Sequence, residues 1–210
     1  MDTAFWLNKW TSNQIGFHEK HPHPLLVRYW ERLTRCPRSK VFVPLCGKSN
    51  DLIWLKEQGH KVVGVEVSEI AVSDFFYEQN LTPEITIESS LTRFTSESYV
   101  LYCGDYFNLR PSDVGDFSLV YDRASLIALS PDTRARYVEK LSDFSRTGTQ
   151  KLLVALEYDT EIVNPPPYAV TAQEIHNLYE PLWRIEKVGV HDTDVKGHAG
   201  QEIVYIITRK

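Results

Sequence analysis

The 210-residue sequence predicts an α/β fold with a mostly parallel sheet, helices on both faces and an antiparallel last strand. The first observation behind this prediction is alternation, because short apolar runs of strand length follow segments with helical spacing from residue 25 onwards. The second is the end of the chain, where two apolar runs are joined by the polar segment HDTDVKGHAGQE. That segment is too short and too polar for a crossover helix, so the last strand should run antiparallel.

The elements before residue 60 are a helix, a strand and a second helix. Leu25–Leu33 carries apolar residues at helical spacing and predicts an amphipathic helix, which the CPRS segment at 36–39 ends. Val41–Leu45 is an apolar run interrupted by one proline, which is typical of a buried parallel strand. Asn50–Gln58 predicts a helix that stops at Gly59.

The next elements depart from strict alternation. Val62–Val67 predicts the second strand, and Ser68 is a suitable N-cap for the following helix, which ends at Asn80. Ile85–Leu91 and Tyr99–Cys103 then predict two strands on either side of the polar turn TRFTSES. This pair indicates a hairpin-like insertion before or within the third strand.

The remaining elements resume the alternation. Pro131, preceded by Ser130 as a suitable N-cap, predicts the start of a helix that runs to about Ser145. The three prolines of NPPPY (164–168) predict a stiff loop before a helix at Thr171–Tyr179. The strands of this part are predicted at Phe117–Tyr121, Leu152–Leu156, Trp183–Val190 and Ile203–Thr208.

Composition and charge exclude several classes of function. The net charge of −5, from 23 basic and 28 acidic residues, gives no sign of a nucleic-acid or anionic-membrane partner. No apolar run approaches the roughly 20 residues that span a bilayer, and the N-terminus MDTAFWLNKW does not resemble a signal peptide. Cys36, Cys46 and Cys103 fit neither a disulfide framework nor a zinc site. We therefore expect a single domain over residues 1–210, monomeric and cytoplasmic, with a small-molecule partner.

The turn PLCGKSN after the first strand raises the question of which ligand it holds. A dinucleotide site has several glycines there, because a pyrophosphate approaches several backbone N–H groups closely, whereas this turn has Gly47. Glu66 ends the second strand 19 residues later, which suits a carboxylate that binds ribose hydroxyls. These two residues favour S-adenosylmethionine, which has no phosphate, and the antiparallel last strand favours the Rossmann-like methyltransferase fold. The alternative is a plain turn and a solvated acid.

Seven motifs are spread along the chain: FWLNKW, NQIGFHE, FVPLCGKSNDLIWL, GHKVVGVEVSE, YCGDYFNL, YDRASLIAL and NPPPY. Together they resemble the bacterial branch of the thiopurine S-methyltransferase family. The resemblance implies methyl transfer from S-adenosylmethionine to an aromatic or heterocyclic thiol, such as the thiopurine 6-mercaptopurine. It also implies a link to the methylation of selenium and tellurium species and to tellurite resistance.

The resemblance further implies site residues. Phe17 matches an aromatic position over the substrate, and Arg123 matches an arginine at the junction of cofactor and substrate. A late basic substrate contact lies near Lys196 or His198 and is not assigned to either. With Gly47 from the turn, the residues expected to bind the cofactor are Trp10, Leu45, Gly47, Glu66, Asp105, Tyr106 and Arg123.

The physical roles of these side chains each have a structural alternative. Trp6, Trp10 and Phe17 suit an aromatic lid within residues 1–36, because aromatic rings attract a sulfonium cation. The alternative is that the two tryptophans, four residues apart, anchor an N-terminal helix on the core. Asp122 is expected to orient Arg123, and the alternative is a purely structural ion pair.

Three further features each have a functional and a structural interpretation. The NPPPY loop suits a firm wall of the acceptor pocket, with Tyr168 facing in or out, but a plain connection explains it almost as well. The segment HEKHPH (18–23) suggests a metal site, which the prolines disfavour. Cys46 is expected to be a small packed residue and not a nucleophile.

The expected mechanism is direct in-line methyl transfer to a thiolate, with alignment of the reactants as the main contribution of the protein. Heteroaromatic thiols lose their proton readily, so we expect Arg123 to position the reactants and assign no catalytic base. Three alternatives stay open at this point: a methyltransferase with an amine, phenol or halide acceptor, an NAD-dependent oxidoreductase, and a non-catalytic cofactor sensor.

Overall fold

The computed structural model describes residues 3–33, 39–88 and 90–210 of the chain. Cys36, most of the predicted CPRS break and Ser89 lie outside the described residues. The helices are α1 (Thr3–Thr11), α2 (Pro24–Tyr29), α3 (Asn50–Glu57), α4 (Glu69–Glu78), α5 (Pro111–Val114), α6 (Pro131–Phe144) and α7 (Ala172–Tyr179). The strands are β1 (Lys40–Pro44), β2 (Lys61–Glu66), β3 (Glu84–Glu88), β4 (Leu91–Ser96), β5 (Tyr99–Cys103), β6 (Leu119–Arg123), β7 (Gln150–Tyr158), β8 (Trp183–Val195) and β9 (His198–Arg209).

The strands of the described chain form one sheet in the order β3-β4-β5-β2-β1-β6-β7-β9-β8. Strands β5, β2, β1, β6 and β7 are parallel, and the strands at both ends of the sheet are antiparallel. The chain places β2 on one side of β1 and β6 on the other, so the order reverses at β1. Ligands of open α/β sheets bind beyond the carboxyl ends of the strands at such a switch point.

The last strand confirms the predicted antiparallel end, but the hairpin is longer than predicted. β9 pairs antiparallel with β7 on one side and with β8 on the other. Both strands continue through the polar segment expected to connect them, and the chain turns at Lys196 and Gly197, which have φ angles of 54° and 84°. Two consecutive residues with positive φ are typical of a tight hairpin turn. This turn lies at the same edge as the carboxyl ends of the parallel strands.

The region before β5 differs from the prediction. The segment TRFTSES was predicted as a turn, but most of it forms β4, which pairs with β3 and β5. Leu91 and Phe94 of β4 are buried, whereas the residues between them are half-buried. The strand was missed because its apolar residues are three apart and its other side chains are polar, as is tolerated near the edge of a sheet.

The helices begin close to the predicted positions. The hydroxyl of Ser68 accepts a hydrogen bond from the Ala71 N–H at 3.3 Å, which confirms its predicted role as the N-cap of α4. Pro131 is the first residue of α6, as predicted, and Ser130 holds the N-cap position without a side-chain bond to the helix backbone. The predicted helix at Leu25–Leu33 is α2 followed by a 3₁₀ turn at Trp30–Arg32.

Helices cover both faces of the sheet, as predicted. Alternate strand residues belong to two different apolar clusters, because successive side chains point to opposite faces. One cluster contains residues of α6 and α7, namely Tyr137, Leu141, Ile175 and Tyr179. The other contains residues of α2, α3 and α4, namely Leu26, Leu52, Leu55 and Phe75. None of the described helices is long and apolar enough to cross a membrane.

Candidate active site

A cavity of about 710 Å³ opens at the carboxyl edge of the sheet, next to the switch point at β1. Its size is in the range of pockets that enclose small molecules. It is lined by the ends of β1, β2, β6 and β7, by the N-terminal segment (residues 3–23), by the three prolines of the NPPPY loop and by the β8–β9 turn. Six predicted site residues line it: Trp10, Phe17, Leu45, Gly47, Glu66 and Arg123.

The turn after β1 requires its glycine. Leu45 and Gly47 have φ angles of 47° and 53°, in the left-handed region that glycine adopts at low cost. A Cβ atom on Gly47 would lie 3.2 Å from Cζ2 of Trp10, so any side chain there would push against the indole ring. The backbone of the turn therefore lines the cavity, and the Trp10 ring packs against it at Gly47.

Glu66 links the second strand to this turn. Its Oε2 accepts a hydrogen bond from the Gly47 N–H at 2.9 Å, and its Oε1 accepts one from the Ser68 N–H at 2.9 Å. Burial raises the pKa of Glu66, and the backbone hydrogen bonds oppose that shift. Each carboxylate oxygen has a second acceptor position, so Glu66 can hold the turn and still accept hydrogen bonds from a ligand in the cavity.

The aromatic residues of the N-terminal segment form a wall over the cavity. Helix α1 places Trp6 and Trp10 one turn apart, and the Phe17 ring lies 5.6 Å and 5.4 Å from theirs in edge-to-face geometry. Trp10 is buried, as expected of an anchor, and all three rings line the cavity. The burial of Trp10 agrees with the anchoring interpretation, and the aromatic lid stays a prediction.

Arg123 lies at the end of β6 and lines the cavity, where its guanidinium donates to Oε1 of Glu19. The expectation that Asp122 orients Arg123 is wrong. Asp122 is fully buried on the opposite face of the sheet, where Lys151 Nζ lies 2.6 Å from its Oδ2 and the Tyr137 hydroxyl donates to the same oxygen at 2.6 Å. Successive residues of a strand point to opposite faces, so neighbours in sequence are not partners here.

The family model described as Thiopurine S-methyltransferase (TPMT) matches residues 1–210. The chain belongs to the thiopurine S-methyltransferase family. A curated protein of Pseudomonas fluorescens (strain SBW25) with the name "Thiopurine S-methyltransferase" is 45% identical over 91% of this chain and 88% of its own length. One of the same name from strain Pf0-1 is 41% identical over 100% of this chain and 95% of its own.

Solved structures confirm the predicted methyltransferase fold. The 1,6-didemethyltoxoflavin-N1-methyltransferase of Burkholderia thailandensis, with 1,6-didemethyltoxoflavin and S-adenosylhomocysteine bound, matches with a TM-score of 0.70 at 15% identity, over 99% of this chain and 87% of that one. TehB from Haemophilus influenzae matches with a TM-score of 0.59 at 15% identity, over 96% of this chain and 66% of that one. At such identities the likeness shows the fold.

The thiopurine S-methyltransferase family uses S-adenosylmethionine, and the cavity of this member fits that cofactor. The turn at Gly47 leaves backbone exposed where a Cβ atom would intrude, and the Glu66 carboxylate has acceptor positions beside it. A nucleoside that carries an amino-acid tail and lacks phosphate needs these two features and not a set of glycines. The cavity volume is also of the size that such a molecule needs.

Two predicted cofactor residues of this family member do not line the cavity. The Asp105 carboxylate accepts a hydrogen bond from the Phe107 N–H at 2.9 Å and caps a 3₁₀ turn at Tyr106–Asn108. The Tyr106 ring is buried against Tyr137 of α6, and its hydroxyl donates to the Tyr137 carbonyl at 3.1 Å. Their position beside an adenine ring stays a prediction.

The far side of the cavity contains the proline loop and the hairpin turn. Pro165, Pro166 and Pro167 line it, as expected of a firm wall, whereas the Tyr168 ring faces the Arg134 guanidinium at 5.8 Å. Lys196 lines it too, and its Nζ donates to the Asn164 carbonyl at 2.8 Å. The unassigned late basic contact therefore has one candidate at the cavity, and His198 is not among the lining residues of the described chain.

Cys46 lines the cavity as a packed residue. It is buried, and burial raises its pKa well above the usual value for a thiol. A Cβ atom on Gly64 would lie 2.7 Å from its sulfur, so the thiol fills the space that this glycine leaves. These observations support the expectation that Cys46 packs and does not act as a nucleophile.

Sequence reasoning missed a polar cluster beneath the aromatic wall. Glu19, Asp51, Tyr121 and Glu202 line the cavity, and His23 lies next to them. The segment HEKHPH was the available signal, since two of these residues come from it, but it was weighed as a metal site. Within the ranges that the structure describes, no group of three histidine, cysteine or acidic side chains could hold a metal ion.

Proposed function

We propose that the protein methylates the sulfur of aromatic or heterocyclic thiols, with thiopurines such as 6-mercaptopurine as representative acceptors. The observation that carries this proposal is a guanidinium in a cavity that also has flat apolar walls. Trp6, Phe17 and the prolines line the same cavity as Arg123. Flat apolar walls suit a planar heterocycle, and a guanidinium suits a thiolate or ring nitrogens. The names of the bacterial relatives support the same acceptor class.

Four of the lining residues would hold the cofactor. Glu66 would accept hydrogen bonds from the ribose hydroxyls, Leu45 and Gly47 would pass along the methionine part with their backbone, and Trp10 would cover it. S-adenosylmethionine would supply a methyl group on a positively charged sulfur, and as the acceptor sulfur bonds to that carbon the sulfonium C–S bond would break and leave S-adenosylhomocysteine, a neutral thioether. An aromatic face next to that charge is worth about 0.5–2 kcal/mol, depending on exposure to water.

The contribution of the chain to the reaction is alignment. Arg123 would hold the anionic acceptor, while Trp6 and Phe17 would stack on it and exclude water. Aligning two reactants in this way lowers a barrier by about 7–11 kcal/mol. Heteroaromatic thiols are readily deprotonated in water, so the proposal needs no general base from the chain.

Calorimetric titration followed by an acceptor panel tests the proposal. S-adenosylmethionine and S-adenosylhomocysteine should both bind, and the enzyme with 6-mercaptopurine should yield the S-methyl product, detected by mass spectrometry. The panel adds 4-nitrophenol, aniline and iodide at equal concentration. Cofactor binding with turnover of one of these and not of thiols would replace the proposed acceptor class.

The role of Arg123 has a matched control. Arg123→Lys keeps the positive charge and loses the planar fork, so kcat/KM for thiols should fall about tenfold while cofactor affinity is kept. Glu139→Gln removes a charge from the exposed face of α6 and should change neither quantity. If Arg123→Lys behaves like Glu139→Gln, Arg123 does not contact the acceptor.

The domain organisation, oligomeric state and location of the protein are proposals too. We propose a single methyltransferase domain that acts as a cytoplasmic monomer on a small molecule and not on nucleic acid, with residues 1–36 as its lid. Light scattering coupled to size exclusion tests the monomer. Methylation of selenium or tellurium species stays a prediction. The methyl-transfer assay with benzeneselenol as the acceptor tests it for selenium.

A further inference from the structure

Four charged or polar side chains follow one another beneath the aromatic wall. The Arg123 guanidinium donates to Oε1 of Glu19, and His23 Nε2 lies 3.7 Å from that same oxygen. His23 Nε2 also lies 3.3 Å from Oε1 of Glu202 on β9. The row therefore joins the end of β6, the N-terminal segment and the last hairpin.

Glu19 is the most exposed member of this row, and its two neighbours, His23 and Arg123, are largely buried. The side chain of His23 is 6% exposed, and its backbone N–H donates to the Asp51 carboxylate at 2.7 Å. Asp51 in turn accepts a hydrogen bond from the Tyr121 hydroxyl at 2.9 Å. The Arg123 side chain is 15% exposed, whereas that of Glu19 is 40% exposed. Movement of the Glu19 carboxylate away from Arg123 thus disturbs little of the core.

Two other cations of the cavity, Lys48 and Lys196, have partners outside its lining, and a third, Lys9, donates to the uncharged amide of Gln14 at 2.7 Å. Lys48 Nζ lies 3.1 Å from Asp74 and 2.7 Å from Glu78, both on α4 outside the cavity lining. Lys196 donates to a backbone carbonyl at the rim. Arg123 differs from all three, because its partner Glu19 is a carboxylate that itself lines the cavity. An anionic acceptor that reaches Arg123 meets a carboxylate already in place.

We propose that Glu19 is a specificity-determining residue that occupies Arg123 as a built-in anion and is displaced by acceptors that carry their own negative charge. A thiolate replaces one anion by another at the guanidinium, whereas an un-ionised thiol offers no such exchange and leaves the ion pair intact. The displaced carboxylate stays beside His23 Nε2, which already lies within 3.7 Å. This inference rests on the proposed function, because it assumes that the acceptor binds at Arg123.

The test compares Glu19→Gln with wild type on two thiols, 4-nitrothiophenol, which is ionised at neutral pH, and benzyl mercaptan, which is not. Removing the competing carboxylate should lower KM for 4-nitrothiophenol about two- to fivefold, the range of a half-exposed ion pair, with kcat nearly unchanged. KM for benzyl mercaptan should stay within about twofold. In an Arg123→Gln background, where no cation is left for Glu19 to occupy, the effect of Glu19→Gln should shrink, since the two residues act on each other.

Several outcomes would overturn the inference. These are an equal change of KM for both thiols, the same change in the control Glu139→Gln, or a rise of KM for the ionised thiol. A fall of kcat for benzyl mercaptan in Glu19→Gln would instead make Glu19 a proton acceptor. Glu19→Asp, which keeps the charge, should resemble wild type on both thiols.

Failure of the proposed function is distinguishable from failure of this inference. If no thiol is methylated, binding of 4-nitrothiophenol is measured directly by quenching of the tryptophan fluorescence, to which Trp6 and Trp10 at the cavity contribute. Tighter binding to Glu19→Gln than to wild type would then support the exchange at Arg123 although the reaction class is different. Equal binding would overturn it.

Discussion

Asp122 and Arg123 are neighbours at the end of β6, yet they belong to different regions of the molecule. Asp122 lies between the sheet and α6, and its partners Lys151 and Tyr137 are fully buried. Arg123 lies on the other face, at the cavity, with the exposed carboxylate of Glu19 as its partner. Although the two charges are adjacent in sequence, Asp122 therefore belongs to the buried core and Arg123 to the cavity.

Whether each charge serves stability or binding depends on where its ion-pair partner lies. Lys151 is on β7, the neighbouring strand of the sheet, so the pair with Asp122 is broken only when the sheet opens. Glu19 is on the N-terminal segment outside the sheet, so its pair with Arg123 can break while the fold is kept. Changes in the first region should affect stability, and changes in the second should affect binding.

The largest expected effect is in the buried region. Lys151→Ala leaves the Asp122 carboxylate buried without its cation, so the free energy of unfolding should fall by about 3–5 kcal/mol. Urea unfolding followed by circular dichroism measures it. Arg123→Gln, the matched change one residue away from Asp122, should cost less than about 1 kcal/mol, because its partner is half-exposed. Similar losses at both positions would remove the distinction between the regions.

Glu66 combines features of both regions, because it is nearly as buried as Asp122 but lines the cavity. Glu66→Ala removes the acceptors of the Gly47 and Ser68 N–H groups as well as those offered to a ligand. Affinity for S-adenosylmethionine should fall about ten- to hundredfold, the value of one or two hydrogen bonds to a charged group. Calorimetric titration measures it, and unchanged affinity would remove Glu66 from the ribose role.

The sequence predicted the elements whose signal is local. The strands β1, β2, β6 and β7 are apolar runs, and Ser68 and Pro131 mark helix starts by their own chemistry. β4 was missed because it mixes apolar and polar residues, and the hairpin was predicted too short because its strands continue through polar side chains.

The part of the site that could be predicted is the part tied to strand ends. Gly47, Glu66 and Arg123 each end a strand or follow one, so topology alone places them at one edge of the sheet. Glu19 and Glu202 meet through His23 although they are far apart in sequence, and no local pattern indicates that contact. Arg123 and Asp122 were paired because sequence proximity does not show which face a side chain occupies.

The buried region should make the protein sensitive to alkaline pH. Burial, followed by the charge of Asp122, raises the pKa of Tyr137 well above its usual value. Because the folded pKa of this phenol exceeds the unfolded one, its contribution to stability is fully present below about pH 10 and is lost as the pH rises further. Between about pH 10 and the folded pKa of Tyr137, the unfolded state loses the phenol proton and the folded state keeps it. The free energy of unfolding therefore falls by about 1.4 kcal/mol per pH unit over that range.

Tyr137→Phe measures this contribution, because it removes the phenol and keeps the ring. The difference in unfolding free energy between wild type and variant should be constant up to about pH 10 and shrink above it. Lys151 acts in the opposite direction, because burial lowers its pKa and favours the folded state as the pH rises. A difference that grows above pH 10 would show that the Tyr137 hydroxyl is not held protonated by the fold.

The smallest expected effect is at the cavity, and it lies at acidic pH. Burial by itself would raise the pKa of Glu202, but the hydrogen bond and charge of His23, together with Arg123, outweigh it and lower the pKa. The folded pKa of this carboxyl is therefore below the unfolded one. Its contribution to stability is present above the usual glutamate value of about 4.3 and is lost as the pH falls through the folded pKa.

Glu202→Gln should therefore cost only about 1 kcal/mol at neutral pH, because the amide keeps the volume of the side chain and a hydrogen bond to His23. The difference from wild type should vanish below the folded pKa, where the wild-type carboxyl is also neutral. Urea unfolding of both proteins between pH 3 and pH 7 measures it. A difference that persists at the acidic end would come from packing of the Glu202 side chain on β9 and not from its charge, and the row of charges beneath the aromatic wall would then end at His23.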